Sequence, residues 1–168
     1  FNAKTVIITG HTGFKGSWLA AWLKQLGAKV VGIALDPPTE PSHFVAAQLA
    51  DGMVDLRIDI RNQVALEEAI VSAQPDFVFH LAAQALVRRS YEDPVETWQT
   101  NLLGALHVLE ALRRLDKPCA AVIITSDKCY DNVEWIWGYR ETDALGGSDP
   151  YSASKGAAEL VIRSHVKS

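Results

Sequence analysis

A chain of 168 residues, 48% hydrophobic and 21% charged, carries enough apolar material for one domain with a substantial core. A net charge of −4 offers no footprint for nucleic acid or an anionic membrane, and no apolar run approaches a membrane span. No segment reads as a secretory leader, the five histidines make no zinc spacing with the two cysteines, and no metal site is expected. Cys119 and Cys129, on either side of an apolar run, read as reduced packing residues, which favours a cytoplasmic location.

In chain order, Val6–Thr9 is expected as a buried strand. A turn bearing Gly10, Gly13 and Gly16 follows. A helix is then predicted over Gly16–Leu26, carrying Trp18, Leu19, Trp22, Leu23 and Leu26. Gly27 ends that helix, and Lys29–Leu35 reads as the second strand. Pro37, Pro38 and Pro41 enforce a loop before a short helix around Ser42–Ala50. A strand near Val54–Ile58, a helix from Asn62 to Ala73 and a strand over Phe77–Leu81 come next. Pro94–Arg114 is predicted as the longest helix, with Pro94 in its first turn and an apolar row Trp98, Leu102, Ala105, Leu109, Leu112. Ala120–Thr125 is expected as a fifth strand, apolar on both faces. After an aromatic-rich loop, a helix from Pro150 to His165 closes the pattern.

Continuous apolar strands alternating with helices imply an α/β protein: one domain with a Rossmann-type, doubly wound parallel sheet covered on both faces. In such sheets ligands lie beyond the carboxyl ends of the strands. The glycine turn stands at one such end, where a helix start offers unpaired N–H groups and a positive dipole end to a phosphate. A glycine triplet also suits an ordinary tight turn. The preceding strand and following helix favour a dinucleotide pyrophosphate.

Asp36, about 20 residues beyond the turn, can accept hydrogen bonds from an adenosine ribose, or it simply opens the proline-rich loop. No arginine adjoins it in sequence, which favours NAD over NADP. Asp59, in Asp59-Ile60-Arg61, reads equally as a contact to the adenine edge and as the cap of the 62–73 helix. Leu81, Ala82, Ala83 and Gln84 end the fourth strand with small side chains that suit close approach of a flat cofactor. Lys15 reads as a point charge for the pyrophosphate or as a solvated surface lysine, and His11 as a turn residue rather than a base.

Tyr151 and Lys155 stand at i and i+4 near the start of the last helix, so they share one face. An ammonium beside a phenol stabilises the phenolate, which can then exchange a proton with a sugar or alcohol hydroxyl. Alone, such a pair is a common surface feature. Here Thr125-Ser126-Asp127-Lys128 emerges from the end of the fifth strand, with a hydroxyl, an acid and an amine, or else with Ser126 as a turn cap and Lys128 exposed.

Together these features resemble the extended short-chain dehydrogenase/reductase family, whose glycine spacing matches Gly10-x-x-Gly13-x-x-Gly16. Five strings are similar to the CDP-sugar branch of its nucleotide-sugar 4,6-dehydratases. They are Gly10-His-Thr-Gly-Phe-Lys-Gly-Ser-Trp18, His80-Leu-Ala-Ala-Gln84, Thr125-Ser-Asp-Lys-Cys-Tyr-Asp-Asn132, Trp137-Gly-Tyr-Arg-Glu141 and Asp149-Pro-Tyr-Ser-Ala-Ser-Lys155. The resemblance implies NAD held by Gly10, His11, Thr12, Gly13, Phe14, Lys15, Gly16, Asp36, Asp59, Ile60, Leu81, Ala82, Ala83, Gln84, Tyr151 and Lys155. It implies a nucleotide-sugar substrate, CDP-glucose, in deoxysugar biosynthesis of the lipopolysaccharide O-antigen kind. Tyr151, Ser126 and Lys155 would act at the sugar's 4-hydroxyl, and Asp127 as the acid for the departing 6-hydroxyl. Relatives acting on dTDP-glucose carry a glutamate as C5 base where this chain has Lys128, so the base is open, with Lys128 the candidate.

The resemblance further implies a longer protein, whose C-terminal portion builds the sugar-nucleotide pocket. It implies a homodimer or homotetramer through the helices at 94–114 and 150–165. Arg88 and Ser90 are candidates for the sugar phosphate or plain surface. A nucleotide-sugar epimerase or reductase on the same scaffold is the nearest rival, and a non-catalytic dinucleotide-binding domain the rival from another class. The Tyr151/Lys155 pair speaks against the latter.

Overall fold

A computed structural model describes residues 1–167. It divides into two compact units, residues 1–82 with 110–124 and residues 83–109 with 125–167. The first unit is built on a five-stranded, all-parallel sheet of order β3-β2-β1-β4-β5, with β1 Thr5–Thr9, β2 Lys29–Ala34, β3 Val54–Arg57, β4 Phe77–His80 and β5 Ala120–Ile123. These are the first five positions of the Rossmann strand order 3-2-1-4-5-6, and they realise the expected α/β class. The central strand β1 is buried on both faces: Val6, Ile7 and Ile8 have no exposed surface. That is why its sequence is continuously apolar rather than alternating.

On one face Val6, Ile8 and Val30 pack with Ala20 and Leu23 of α1 (Phe14–Gln25), flanked by Leu19, Phe77 and Phe79. The inward residues of α1 are Gly16, Ser17, Ala20 and Leu23. Phe14, Trp18, Trp22 and Leu26, four residues apart, form an exposed row instead. The expected helix is present, but its indoles point outward, because the seat against the glycine turn admits only small side chains. α2 (His43–Ala46) is capped by Ser42, whose hydroxyl accepts the N–H of Val45 at 3.1 Å. α3 (Gln63–Ala73) buries Leu66 and Ile70. Its cap is Asn62, whose side-chain oxygen accepts the N–H of Ala65 at 3.2 Å, so the capping alternative offered for Asp59 is corrected.

β5 departs from its expectation. It is an edge strand with Ala120, Ala121 and Val122 exposed, so its apolar character does not mark burial on both faces. Asp76 ties this end of the sheet together, its carboxylate accepting the N–H of Thr5 at 2.9 Å and a proton of the Lys117 ammonium at 3.1 Å.

The second unit is helical. α4 (Val87–Glu92), which sequence periodicity did not announce, precedes α5 (Pro94–Trp98). Asp93 separates them and caps α5 by accepting the N–H of Glu96 at 2.9 Å. The long helix expected over Pro94–Arg114 is interrupted: a π-helical turn at Gln99–Leu103 links α5 to α6 (Gly104–Leu112). A 3₁₀ turn at Asp127–Cys129 and α7 (Pro150–Lys167) complete this unit.

Candidate functional site

The predicted cofactor residues of the first unit gather at the carboxyl ends of β1, β2, β3 and β4. Gly10 leaves β1 with φ +76°, and a Cβ there would lie 2.8 Å from the amide nitrogen of Ala82. A Cβ on Gly16 would lie 2.1 Å from the carbonyl oxygen of Gly10. Both glycines are therefore required by close backbone approach. Gly13 caps α1 without a side-chain bond, and no acidic residue occupies its first turn, so the positive end of a twelve-residue helix is uncovered. Thr9 fixes the exit of β4. Its hydroxyl accepts the N–H groups of Leu81 and Ala82 at 3.1 Å each and is hydrogen-bonded to Nδ1 of His80 at 2.7 Å.

His11 is a buried turn residue. Its Nε2 lies 2.9 Å from Asp55 Oδ1, and burial lowers its pKa, partly opposed by Asp55. The Thr12 hydroxyl donates to the carbonyl of Leu35 at 3.0 Å, while Phe14 and Lys15 are exposed. Asp36 is almost wholly solvent-exposed beyond β2. The expectation that no arginine lies beside it holds in sequence only, because β3 carries Arg57 to its side, with Nε 3.7 Å from Asp36 Oδ1. Asp59 is held by Arg61, whose Nε donates to it at 2.9 Å, and this contact draws its carboxyl below the ordinary range. Ile60 beside it is buried.

In the second unit, Asp149 starts α7 by accepting the Ser152 N–H at 3.0 Å and the Ser152 hydroxyl at 2.6 Å. The next two turns carry Tyr151, half-buried, and Lys155, 5% exposed. Burial pulls the Lys155 ammonium from 10.5 down to about 8, with Glu159 opposing the shift. Glu159 also accepts a hydrogen bond from the hydroxyl of Thr125. The 3₁₀ turn packs on α7, with Gly156 permitting the approach: a Cβ there would lie 3.1 Å from the carbonyl oxygen of Cys129. The segment Ser126–Lys128 is thereby set against the helix that bears Tyr151 and Lys155.

Ser126 caps that turn, accepting the N–H of Lys128 at 3.2 Å and donating to Asp127 Oδ1 at 3.1 Å. Asp127 and Lys128 are exposed. Cys129 is buried and its thiol is pushed up by that burial, as is the partly exposed thiol of Cys119. Ser90 is buried and donates to the carbonyl of Val87 at 2.6 Å, whereas Arg88 is exposed and pairs with Glu92.

Sequence reasoning missed Asn101. Buried in the π-helical turn, it accepts the N–H of Gln84 at 2.9 Å and donates to the carbonyl of Gln84 and the hydroxyl of Ser154 at 3.0 Å each. The Gln84 side chain is spent on the same brace: its amide donates to Thr97 at 2.9 Å and accepts the N–H of Leu86 at 2.6 Å. Ser154 in turn donates to the carbonyl of Tyr151 at 2.7 Å. An asparagine inside an otherwise apolar helix row was the available signal.

Sheet order, glycine turn and uncapped helix start define a Rossmann-type dinucleotide-binding fold. The family model described as GDP-mannose 4,6 dehydratase matches residues 7–168, and the chain belongs to that family. It is 55% identical to a CDP-glucose 4,6-dehydratase from Salmonella typhimurium, over 96% of this chain and 45% of that protein. It is also similar to the solved structure of a Thermus thermophilus UDP-glucose 4-epimerase in complex with NAD (31% identity, TM-score 0.81, 97% of this chain and 51% of that one). A Brucella ovis UDP-glucose 4-epimerase in complex with NAD aligns with 26% identity and TM-score 0.83, over 99% of this chain and 49% of that one. The chain thus spans about half the length of the relatives it matches.

Proposed function

We propose that the protein carrying this chain is an NAD-dependent nucleotide-sugar 4,6-dehydratase that converts CDP-glucose to CDP-4-keto-6-deoxy-glucose. The observation that carries the reading is Lys155, an ammonium buried one helical turn from the Tyr151 phenol. Burying a cation is costly, and a purely structural helix has no need of one at that position. The relative named for CDP-glucose and the NAD-bound relatives supply the substrate and cofactor.

The glycine turn fits a dinucleotide. Backbone closeness at Gly10 and Gly16 leaves no room for side chains, and the α1 N–H groups are uncapped. Residues 10–16 would hold the pyrophosphate, Asp36 the adenosine ribose, Asp59 and Ile60 the adenine, and residues 81–84 the approach of the flat rings. Bound NAD supplies an acceptor from which the hydride is returned within one turnover.

The chain's own residues do the rest. Tyr151 takes the proton of the 4-hydroxyl, the Lys155 ammonium stabilises the phenolate, and Ser126 binds the same oxygen. Once C4 is a ketone, the C5 proton is acidic. The Lys128 amine removes it, while Asp127 protonates the 6-hydroxyl, which leaves as water; as C6 receives the returned hydride, the Lys128 ammonium gives a proton back to C5. Both units serve as one dinucleotide-binding domain in this reading. Exposed Leu103 and Leu160, on the two helical stretches expected at an interface, favour a homo-oligomer. Among the described residues no helix is long and apolar enough to cross a membrane, and a cytoplasmic enzyme feeding O-antigen deoxysugars fits that.

Incubation of the full-length protein with CDP-glucose is expected to give the 4-keto-6-deoxy product with no net NADH. Tyr151→Phe should lower turnover at least about 10²-fold. Net NADH release, or a C4-epimerised sugar, would refute the dehydratase reading.

A further inference from the structure

Arg57 occupies a position that the sequence around Asp36 gives no hint of. Its guanidinium is anchored three ways within the first unit. One terminal nitrogen donates to the carbonyl of Leu35 at 2.8 Å, the other to Asp55 Oδ2 at 2.8 Å, and the group lies over the Phe44 ring, 5.3 Å from its centre. Asp55 is itself fixed by the buried imidazole of His11. None of these anchors involves Asp36. The remaining Nε edge faces Asp36 Oδ1 at 3.7 Å, and that carboxylate is 92% exposed. A fixed cation and a loosely held anion therefore meet where β2 and β3 end.

We infer that Arg57 is a second determinant of dinucleotide choice: beside Asp36 it steadies a carboxylate that accepts ribose hydroxyls, and without that carboxylate it seats a 2′-phosphate. The inference rests on the dinucleotide reading above. A guanidinium edge matches phosphate oxygens in geometry as well as charge. Asp36 fills that edge and repels a phosphate. Asp55 keeps neutralising one side of the guanidinium after Asp36 is gone, so the gain comes from one local edge and is moderate in size.

The test measures binding alone, by titration calorimetry of ADP-ribose and 2′-phospho-ADP-ribose against the full-length protein. Wild type is expected to prefer ADP-ribose. D36S should bind the 2′-phosphorylated ligand about tenfold more tightly than wild type does, and D36S/R57Q should lose that gain. R57Q ends at the position of the arginine Nε and so removes both charge and fork, and D36S/R57K serves as a second double variant, keeping the charge without the fork. Equal affinity of D36S and both double variants for the 2′-phosphorylated ligand would overturn the inference. So would no gain in D36S, or a wild type that binds both ligands alike, and each leaves the cofactor reading standing. Wild type binding neither ligand would overturn the cofactor reading and the inference together.

Discussion

The imidazole of His11 fills the space that a side chain at Gly32 would need. A Cβ on Gly32 would fall 2.4 Å from the ring, and the ring itself is fully buried between β2, Phe44 and the Asp55 carboxylate. The histidine of the glycine turn and the glycine of the second strand are thus one packing unit. Gly32→Ala is expected to destabilise the protein by about 1–3 kcal/mol through overpacking. Urea unfolding reads this directly, and an unchanged midpoint would refute the packing account.

Asn101 clasps both polar groups of the Gln84 main chain and the Ser154 hydroxyl. Asn101→Ala removes the side-chain partner of the buried Gln84 N–H and carbonyl, while Ser154 keeps its bond to the carbonyl of Tyr151, at a cost of about 2–4 kcal/mol. Asn101→Asp should be no better, because its second oxygen would face the carbonyl of Gln84. A thermal melt of each variant checks the pair of outcomes. A fully stable aspartate variant would show that the donor side of the clasp is dispensable.

The buried Lys155 ammonium makes stability depend on pH with a definite sign. Its pKa is about 8 in the folded chain against the ordinary 10.5 of an unfolded one, so between those values the folded chain binds fewer protons. Stability contributed by this group therefore rises with pH from about 8 to 10.5. Below that window both states are protonated and the burial cost is present in full, with a ceiling of about 3 kcal/mol. Lys155→Met should remove the rise. Parallel pH slopes for the two proteins in denaturant titrations would contradict it. On the proposed mechanism, wild-type kcat/KM should also fall above about pH 8, as the charge that supports the phenolate is lost.

Lys128 is exposed on the 3₁₀ turn, beside the serine that caps it. If it is the C5 base, Lys128→Ala will suppress exchange of C5 deuterium into solvent by about 10²-fold or more, while leaving nucleotide binding intact. Normal wash-out in the variant would assign that proton to another group.

The sheet was legible because β1 and β2 are apolar without interruption and each ends in a residue that forces a turn, Gly10 or the proline run after Asp36. Parallel order followed from the helices between them. The glycine turn was legible for the same reason. Three features were not. The π-helical turn that aims Asn101 inward is a small local adjustment within a sequence that reads as one regular helix. Arg57 reaches Asp36 across two strands 21 positions apart, a proximity that only strand register creates. The outward row of Trp18 and Trp22 defeated the rule that large apolar residues face inward, because the Gly16 seat is narrower than an indole.

The bare flank of β5 has a practical side. Among the described residues no strand pairs with the outer edge of β5, and that edge, next to exposed Ala120, Ala121 and Val122, is a template on which foreign strands can grow. Concentrated solutions of these 168 residues on their own would therefore cloud and precipitate, and a lysine introduced at Val122 would keep them clear.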